Sequence, residues 1–174
     1  MSHPILRFSK RPTEAPPSPA HLHYVVREFD VSHIDSEIDH WLAIHNAVLS
    51  ERSRSRAWTA EDFYREFSSF SNACPSRYKI WFAVRVSLDI DESDHAPVGT
   101  ISCCFDNAKR LATINWLAVS AAHRRRGVAS LLTLAVENYC WERSVQHITL
   151  TTLRTWPEAV NFYRRRAYQT ASDE

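Results

Sequence analysis

Residues 123–130, HRRRGVAS, set Arg124, Arg125 and Arg126 directly before Gly127, with the small residues Ala129 and Ser130 just after it. Gly127 is one of only two glycines in 174 residues, where an average usage of roughly 7% would supply about a dozen. A glycine serves where the backbone takes angles closed to other residues, or where a partner must come close to it. Here it heads an apolar pattern with helical spacing. A helix N-terminus offers unpaired N–H groups and the positive end of the helix dipole, which together make a phosphate site. The three arginines add charge beside it. A dinucleotide fingerprint, G-x-G-x-x-G, would lack two of its three glycines, and the loop G-x-x-x-x-G-K-[ST] is absent. What stands in the chain is Arg124-x-x-Gly127-x-Ala129.

Other side chains could do chemistry. His45 falls on an apolar helical stripe and reads as a satisfied core histidine rather than a catalytic one. His123 and His147 could accept a proton, but both read as surface residues. Tyr163, beside Phe162, could be a proton donor or a core aromatic. Cys74, Cys103, Cys104 and Cys140 show no C-x-x-C or Cys/His ligand spacing, so no metal is expected and the thiols read as reduced. No acidic residue falls between Asp106 and Glu137, and no general base is assigned.

These groups need elements to position them. Alternation and β-branched content predict strands at 23–29, 78–86, 98–105, 110–119 and 147–153. Apolar spacing predicts helices over 34–49, from Thr59 with Phe63, Phe67 and Phe70, from Val128 with Leu131, Leu132, Ala135, Val136 and Tyr139, and over 157–166. Thr59 with Asp62 resembles a capping box, and Pro157 suits a first helical turn. SERSRSR, 50–56, reads as a loop, and the acidic LDIDESDHAP, 88–97, as a hairpin loop. The order is β-α-α-β-β-β-α-β-α, with AYQT as a final short strand. Five of the eight prolines lie in the first 19 residues, so residues 1–22 are expected to be a flexible arm and residues 23–174 a single domain.

Composition sets bounds on partners. Hydrophobic residues make up 44%, charged residues 24%, and the formal net charge is +1. Bulk electrostatics therefore do not suggest a polyanion binder, despite RRR at 124–126 and again at 164–166. No apolar run approaches the ~20 residues of a membrane span, and the N-terminus lacks a signal-peptide core. A cytoplasmic protein without membrane or nucleic-acid partners is expected.

Taken with its context, the motif resembles the pyrophosphate loop of the GNAT acyl-CoA N-acyltransferases. The strand before it ends in Leu117-Ala118-Val119. A long amphipathic helix follows, then a strand, then a helix carrying Ala159 and Tyr163, then Arg164-Arg165-Arg166-Ala167-Tyr168. Gly99, in PVGTIS, fits the turn into that family's third strand. The resemblance covers roughly residues 23–168. It implies an α/β (α+β) fold with a mixed, mostly antiparallel central sheet and helices on both faces.

It also implies acetyl-CoA as co-substrate and an amine, on a small molecule or a peptide, as acceptor. The backbone of Leu117, Ala118 and Val119 would hold the pantetheine arm. Arg124, Arg125, Arg126, Gly127, Val128, Ala129 and Ser130 would surround the pyrophosphate, and Tyr163 would protonate the departing thiolate. Two positions depart from the family: Trp156 stands where it often has Asn, and Ala167 where it often has Gly. The chain also stops soon after Tyr168, one strand short of usual members. The substrate side is then incomplete, or completed by the N-terminal arm or by a second subunit in a homodimer. Two other classes compete with the enzyme: a non-catalytic CoA-binding regulatory domain and a nucleic-acid-binding module.

Overall fold

The computed structural model describes residues 5–52, 56–73, 78–86 and 96–170, the side chains of 52 and 68–73 apart. The seven strands are β1 (Ile5–Lys10), β2 (Tyr24–Glu28), β3 (Tyr78–Arg85), β4 (Pro97–Asp106), β5 (Leu111–Val119), β6 (His147–Leu153) and β7 (Gln169–Thr170). The four helices are α1 (Ile34–Arg52), α2 (Ala60–Ala73), α3 (Val128–Glu142) and α4 (Pro157–Arg165). The strands form one sheet in the order β2-β3-β4-β5-β6-β1-β7. Every pairing is antiparallel except β5 with β6. The mixed, mostly antiparallel sheet expected from the sequence is therefore present. Residues 53–55, most of the acidic loop, the Phe70 side chain and Cys74 lie outside the description.

The N-terminal segment departs from expectation. Residues 5–10 are not a flexible arm but a strand lodged between β6 and β7, with Ile5 opposite Leu153 and Lys10 opposite Ile148. Its anchor is Phe8, fully buried against the core. Without β1, the facing edges of β6 and β7 would hold unpaired backbone groups, and β1 satisfies both. Lys10 adds an ion pair to the buried carboxylate of Glu137 on α3 at 3.0 Å, and Arg166 and the Tyr168 hydroxyl donate to the same carboxylate at 2.8 and 3.1 Å. One buried acid thus joins both ends of the chain to α3.

Two apolar clusters cover the sheet. One gathers Phe8, Ile101, Ile148 and Leu150 of the strands with Leu132 and Val136 of α3 and Val160 and Tyr163 of α4. The other joins Ile38, Trp41 and Ile44 of α1 to Phe63 of α2 and to Ile80 and Phe82 of β3. The Thr59–Asp62 capping box forms: the Thr59 N–H donates to Asp62 Oδ2 at 2.9 Å, and the Asp62 N–H to Thr59 Oγ1 at 3.4 Å. Cys103 is buried and Cys104 half-buried, the opposite faces expected of neighbours in a strand.

Candidate active site

The site begins with a fault in β5. Thr100 of β4 faces Ala118 and Ser102 faces Asn115, so Trp116 and Leu117 together oppose Ile101. This β-bulge puts Trp116 at φ +51, a left-handed conformation for a bulky residue. Such a position costs of order 1–3 kcal/mol and persists only where its surroundings enforce it. The bulge bends β5 away from its parallel neighbour. Pairing between β5 and β6 runs from Leu111–His147 to Ile114–Leu150 and stops. Beyond Ile114 the strands part, and a cavity of about 980 Å³ opens between them.

One wall is the start of α3. Gly127 sits at φ +85, in the left-handed region, as the residue that turns the chain into the helix. The first intrahelical bond is Leu131 N–H to Gly127 C=O at 2.9 Å. The N–H groups ahead of it have no partner within the helix. Gly99 explains itself by packing: a Cβ there would stand 3.1 Å from the Ala118 carbonyl and from Val128 Cγ1. It lets β4, β5 and α3 close up beneath the cavity.

Of the residues proposed to hold a cofactor, Leu117, Ala118, Val119, Arg124, Arg125, Gly127, Val128, Ala129 and Ser130 line the cavity. Arg126 does not. It is exposed and lies beside His123, whose pKa is held below the usual value by burial and by the charges of Arg126 and Arg85. Arg124 is anchored: Nε donates to the Val119 carbonyl at 2.9 Å, and Nη1 to Glu51 of α1 at 2.6 Å. Its Nη2 is buried without a hydrogen-bond partner. An orphaned guanidinium donor beside a helix N-terminus fits an anionic group such as a pyrophosphate.

Tyr163 lines the same cavity from α4. Its ring is buried among Phe8, Phe162 and Tyr168, with centroids 6.1, 5.1 and 5.5 Å away. The strand β1 therefore helps hold it. Its hydroxyl makes no hydrogen bond among the described residues, and burial pushes its pKa well above the usual tyrosine value. Trp156, which replaces the family's asparagine, presents its side chain to the cavity at the N-cap of α4. Ala167, which replaces the family's glycine, keeps the glycine conformation at φ +61. The turn it closes is a Schellman motif. Tyr168 N–H bonds the Tyr163 carbonyl, and Ala167 N–H the Arg164 carbonyl, both at 3.1 Å.

At the opposite end of the cavity, the segment 50–70, expected from the sequence to line the acceptor side, contributes Glu66, a residue that the sequence did not single out. There His45 and Glu66 line it beside Asn115 and Trp116. His45 is buried, as a core histidine would be, yet its Nε2 has no partner. Desolvation lowers its pKa to about 4, so it is neutral at pH 7. The only sequence signal for it was a polar residue on an apolar stripe, which a satisfied core histidine also gives.

Comparison with known proteins agrees with this geometry. The acetyltransferase (GNAT) family matches residues 41–168. A GCN5-related N-acetyltransferase from Sphaerobacter thermophilus superposes with a TM-score of 0.66 at 22% identity, over 96% of this chain and 48% of that one. The chain thus spans about half the length of that protein. A GNAT-family acetyltransferase from Staphylococcus aureus gives 0.65 at 15% identity, over 86% of each chain. An aminoglycoside acetyltransferase from an uncultured soil metagenomic sample gives 0.63 at 17%, over 87% and 91%. Among curated proteins nothing matches.

Proposed function

Because the chain belongs to the GNAT family of acetyltransferases, we propose that it transfers an acetyl group from acetyl-CoA to a primary amine by direct attack. The observation that carries this reading is the shape of the cavity. It runs from a glycine-opened helix start, through the bulged and splayed end of β5, to a buried tyrosine. The N–H groups from Arg125 to Ser130, with Arg124 and Arg125, hold the pyrophosphate. Backbone groups of Leu117 to Val119, freed by the bulge, bind the pantetheine arm and polarise the thioester carbonyl.

The amine nitrogen attacks the carbonyl carbon, the C–S bond breaks, and the products are an amide and free CoA thiol. The attacking amine is the neutral form, its ammonium proton having gone to water, and the further proton that nitrogen loses on attack restores the one Tyr163 gives to sulfur. Tyr163 stays protonated at neutral pH and donates its hydroxyl hydrogen to the departing sulfur. No metal has a part in this sequence. The test is release of free thiol from acetyl-CoA across a panel of primary amines. Amine-dependent release supports transfer. Tight CoA binding with no release from any amine leaves a CoA-binding domain without turnover.

A further inference from the structure

We propose that a second cavity, at the start of β5, is a binding site for a phosphate monoester carried on a flat ring, of the nucleoside monophosphate class. It does not depend on the acyl-transfer reading. The cavity has a volume of about 560 Å³ and lies where the chain just after β1, the turn before β5, the end of α3 and the start of β6 meet. Here β5 and β6 are still paired, Leu111 opposite His147. The first cavity opens only where they part, and the two share no lining residue.

Three observations carry the assignment. The first is charge of one sign. Arg11 and Arg110 line the cavity from different segments, with His147 beside them, and among the described residues no carboxylate lines it. Arg11 has no ion pair or hydrogen bond among the described residues. Arg110 engages only Nε, which donates to the Ser144 carbonyl at 2.9 Å. Two guanidinium groups without an acid match the double charge of a phosphate monoester, where a carboxylate would match one of them.

The second is Trp141, which lines the same cavity from the last turn of α3 and is 41% exposed. A single exposed apolar side chain is ordinary on a surface. This one stands in a concave site beside two cations and packs on no other ring among the described residues, so its indole face is open to a planar partner.

The third is a fixed floor. The Arg110 carbonyl accepts the N–H groups of Gln146 at 2.8 Å and His147 at 3.3 Å. Arg110 and Ser144, the two residues joined through Nε, both hold left-handed backbone, at φ +50 and +53. Such conformations are strained for non-glycine residues and gather where a site is held in shape. Arg110 is thereby set before a ligand arrives.

The experiment titrates the protein with AMP by calorimetry, with and without saturating CoA. One AMP should bind per chain, with the same affinity in both cases. Trp141→Ala should weaken it by about tenfold through lost stacking, and Arg11→Ala by about tenfold through a lost charged contact. Both side chains are exposed, so Tm should be unchanged in each variant. Adenosine, which lacks the charge, and inorganic phosphate, which lacks the ring, should each bind at least about tenfold more weakly than AMP. No AMP binding, displacement of AMP by CoA, or full affinity in Trp141→Ala overturns the proposal. Inorganic phosphate binding as tightly as AMP also overturns it, because it leaves an anion site with no place for a ring.

Discussion

At the α3 end the cavity is walled by backbone: a helix start, a left-handed glycine, and an arginine tied to the Val119 carbonyl. At the α1–α2 end it is walled by side chains from three elements: His45, Glu66 and Trp116. The first wall is made within a few consecutive residues, so its chemistry appears as a short motif. The second exists only once α1, α2 and the β5 bulge have come together. Glu66 and the Trp116 it touches are 50 positions apart. A phosphate offers the same shape in every ligand, and a local backbone cradle suffices for it. An acceptor specific to one chain needs side chains, and those can be drawn from anywhere in the fold.

The largest expected effect lies between the two ends, at Tyr163. Tyr163→Phe should lower kcat by ~10²–10⁴-fold, with the KM for acetyl-CoA nearly unchanged. Its hydroxyl makes no hydrogen bond among the described residues, so the phenylalanine ring should pack against Phe8 and Tyr168 without loss of stability. A full kcat, with chemistry rate-limiting, would return Tyr163 to the core.

The aromatic end carries a pH signature. His45 has a folded pKa of about 4 against roughly 6.5 in the unfolded chain. Below pH 6.5 the unfolded state therefore takes up a proton that the folded state refuses. Stability is full above that pH, falls as pH drops toward 4, and levels off below it. The loss should be on the order of 3 kcal/mol. Denaturant midpoints from pH 7 to pH 4 should show it, and His45→Phe should flatten that part of the curve. Identical profiles would mean that His45 is not the buried neutral group described.

These two residues mark how far the sequence could be followed. Tyr163 could be singled out because the resemblance to the GNAT family places a helix carrying A-x-x-x-Y after the phosphate motif and the strand that follows it. His45 showed only as a polar residue on an apolar stripe, and its unpaired nitrogen is a fact of packing. The helices and inner strands were legible because period and β-branching report burial locally. The strand β1 was not. Among prolines at 4, 12, 16, 17 and 19 it has one fully buried anchor, Phe8. What makes it a strand is its place between β6 and β7, whose pairing residues lie far along the chain: Leu153 opposite Ile5, and Thr170 opposite Phe8.

A smaller effect tests the backbone end alone. Ser130 lies in the first turn of α3 and lines the cavity. Ser130→Glu places an acid where the helix dipole favours it, by ~0.3–1 kcal/mol, so the free protein should be no less stable. The same charge faces the pyrophosphate and should weaken acetyl-CoA binding by about tenfold to a hundredfold. Gly127→Val is the poorer probe. At φ +85 a side chain is strained, and its Cβ would stand 3.1 Å from His21 Nε2, so folding and binding would fall together. Unaltered affinity in Ser130→Glu, measured by calorimetry, would remove the phosphate assignment.

The smallest effect contrasts two left-handed residues, Gly127 with its glycine and Ala167 without one. An L-residue in this conformation costs roughly 1–2 kcal/mol. Ala167→Gly relieves that and returns part of it as chain entropy, for a net gain of about 1 kcal/mol and a Tm rise of roughly 2–4 °C. A lower Tm would show that the Schellman turn after α4 carries no such strain.

The central claim is that the cavity is an acetyl-CoA site, and its direct test is the thermal shift of the unmodified protein. A ligand that binds only the folded state at a hundredfold over its Kd stabilises it by about 2.7 kcal/mol. Saturating acetyl-CoA should therefore raise Tm by roughly 5–11 °C, and free CoA by a similar amount. A shift with short duplex DNA or RNA, and none with acetyl-CoA, would contradict the account.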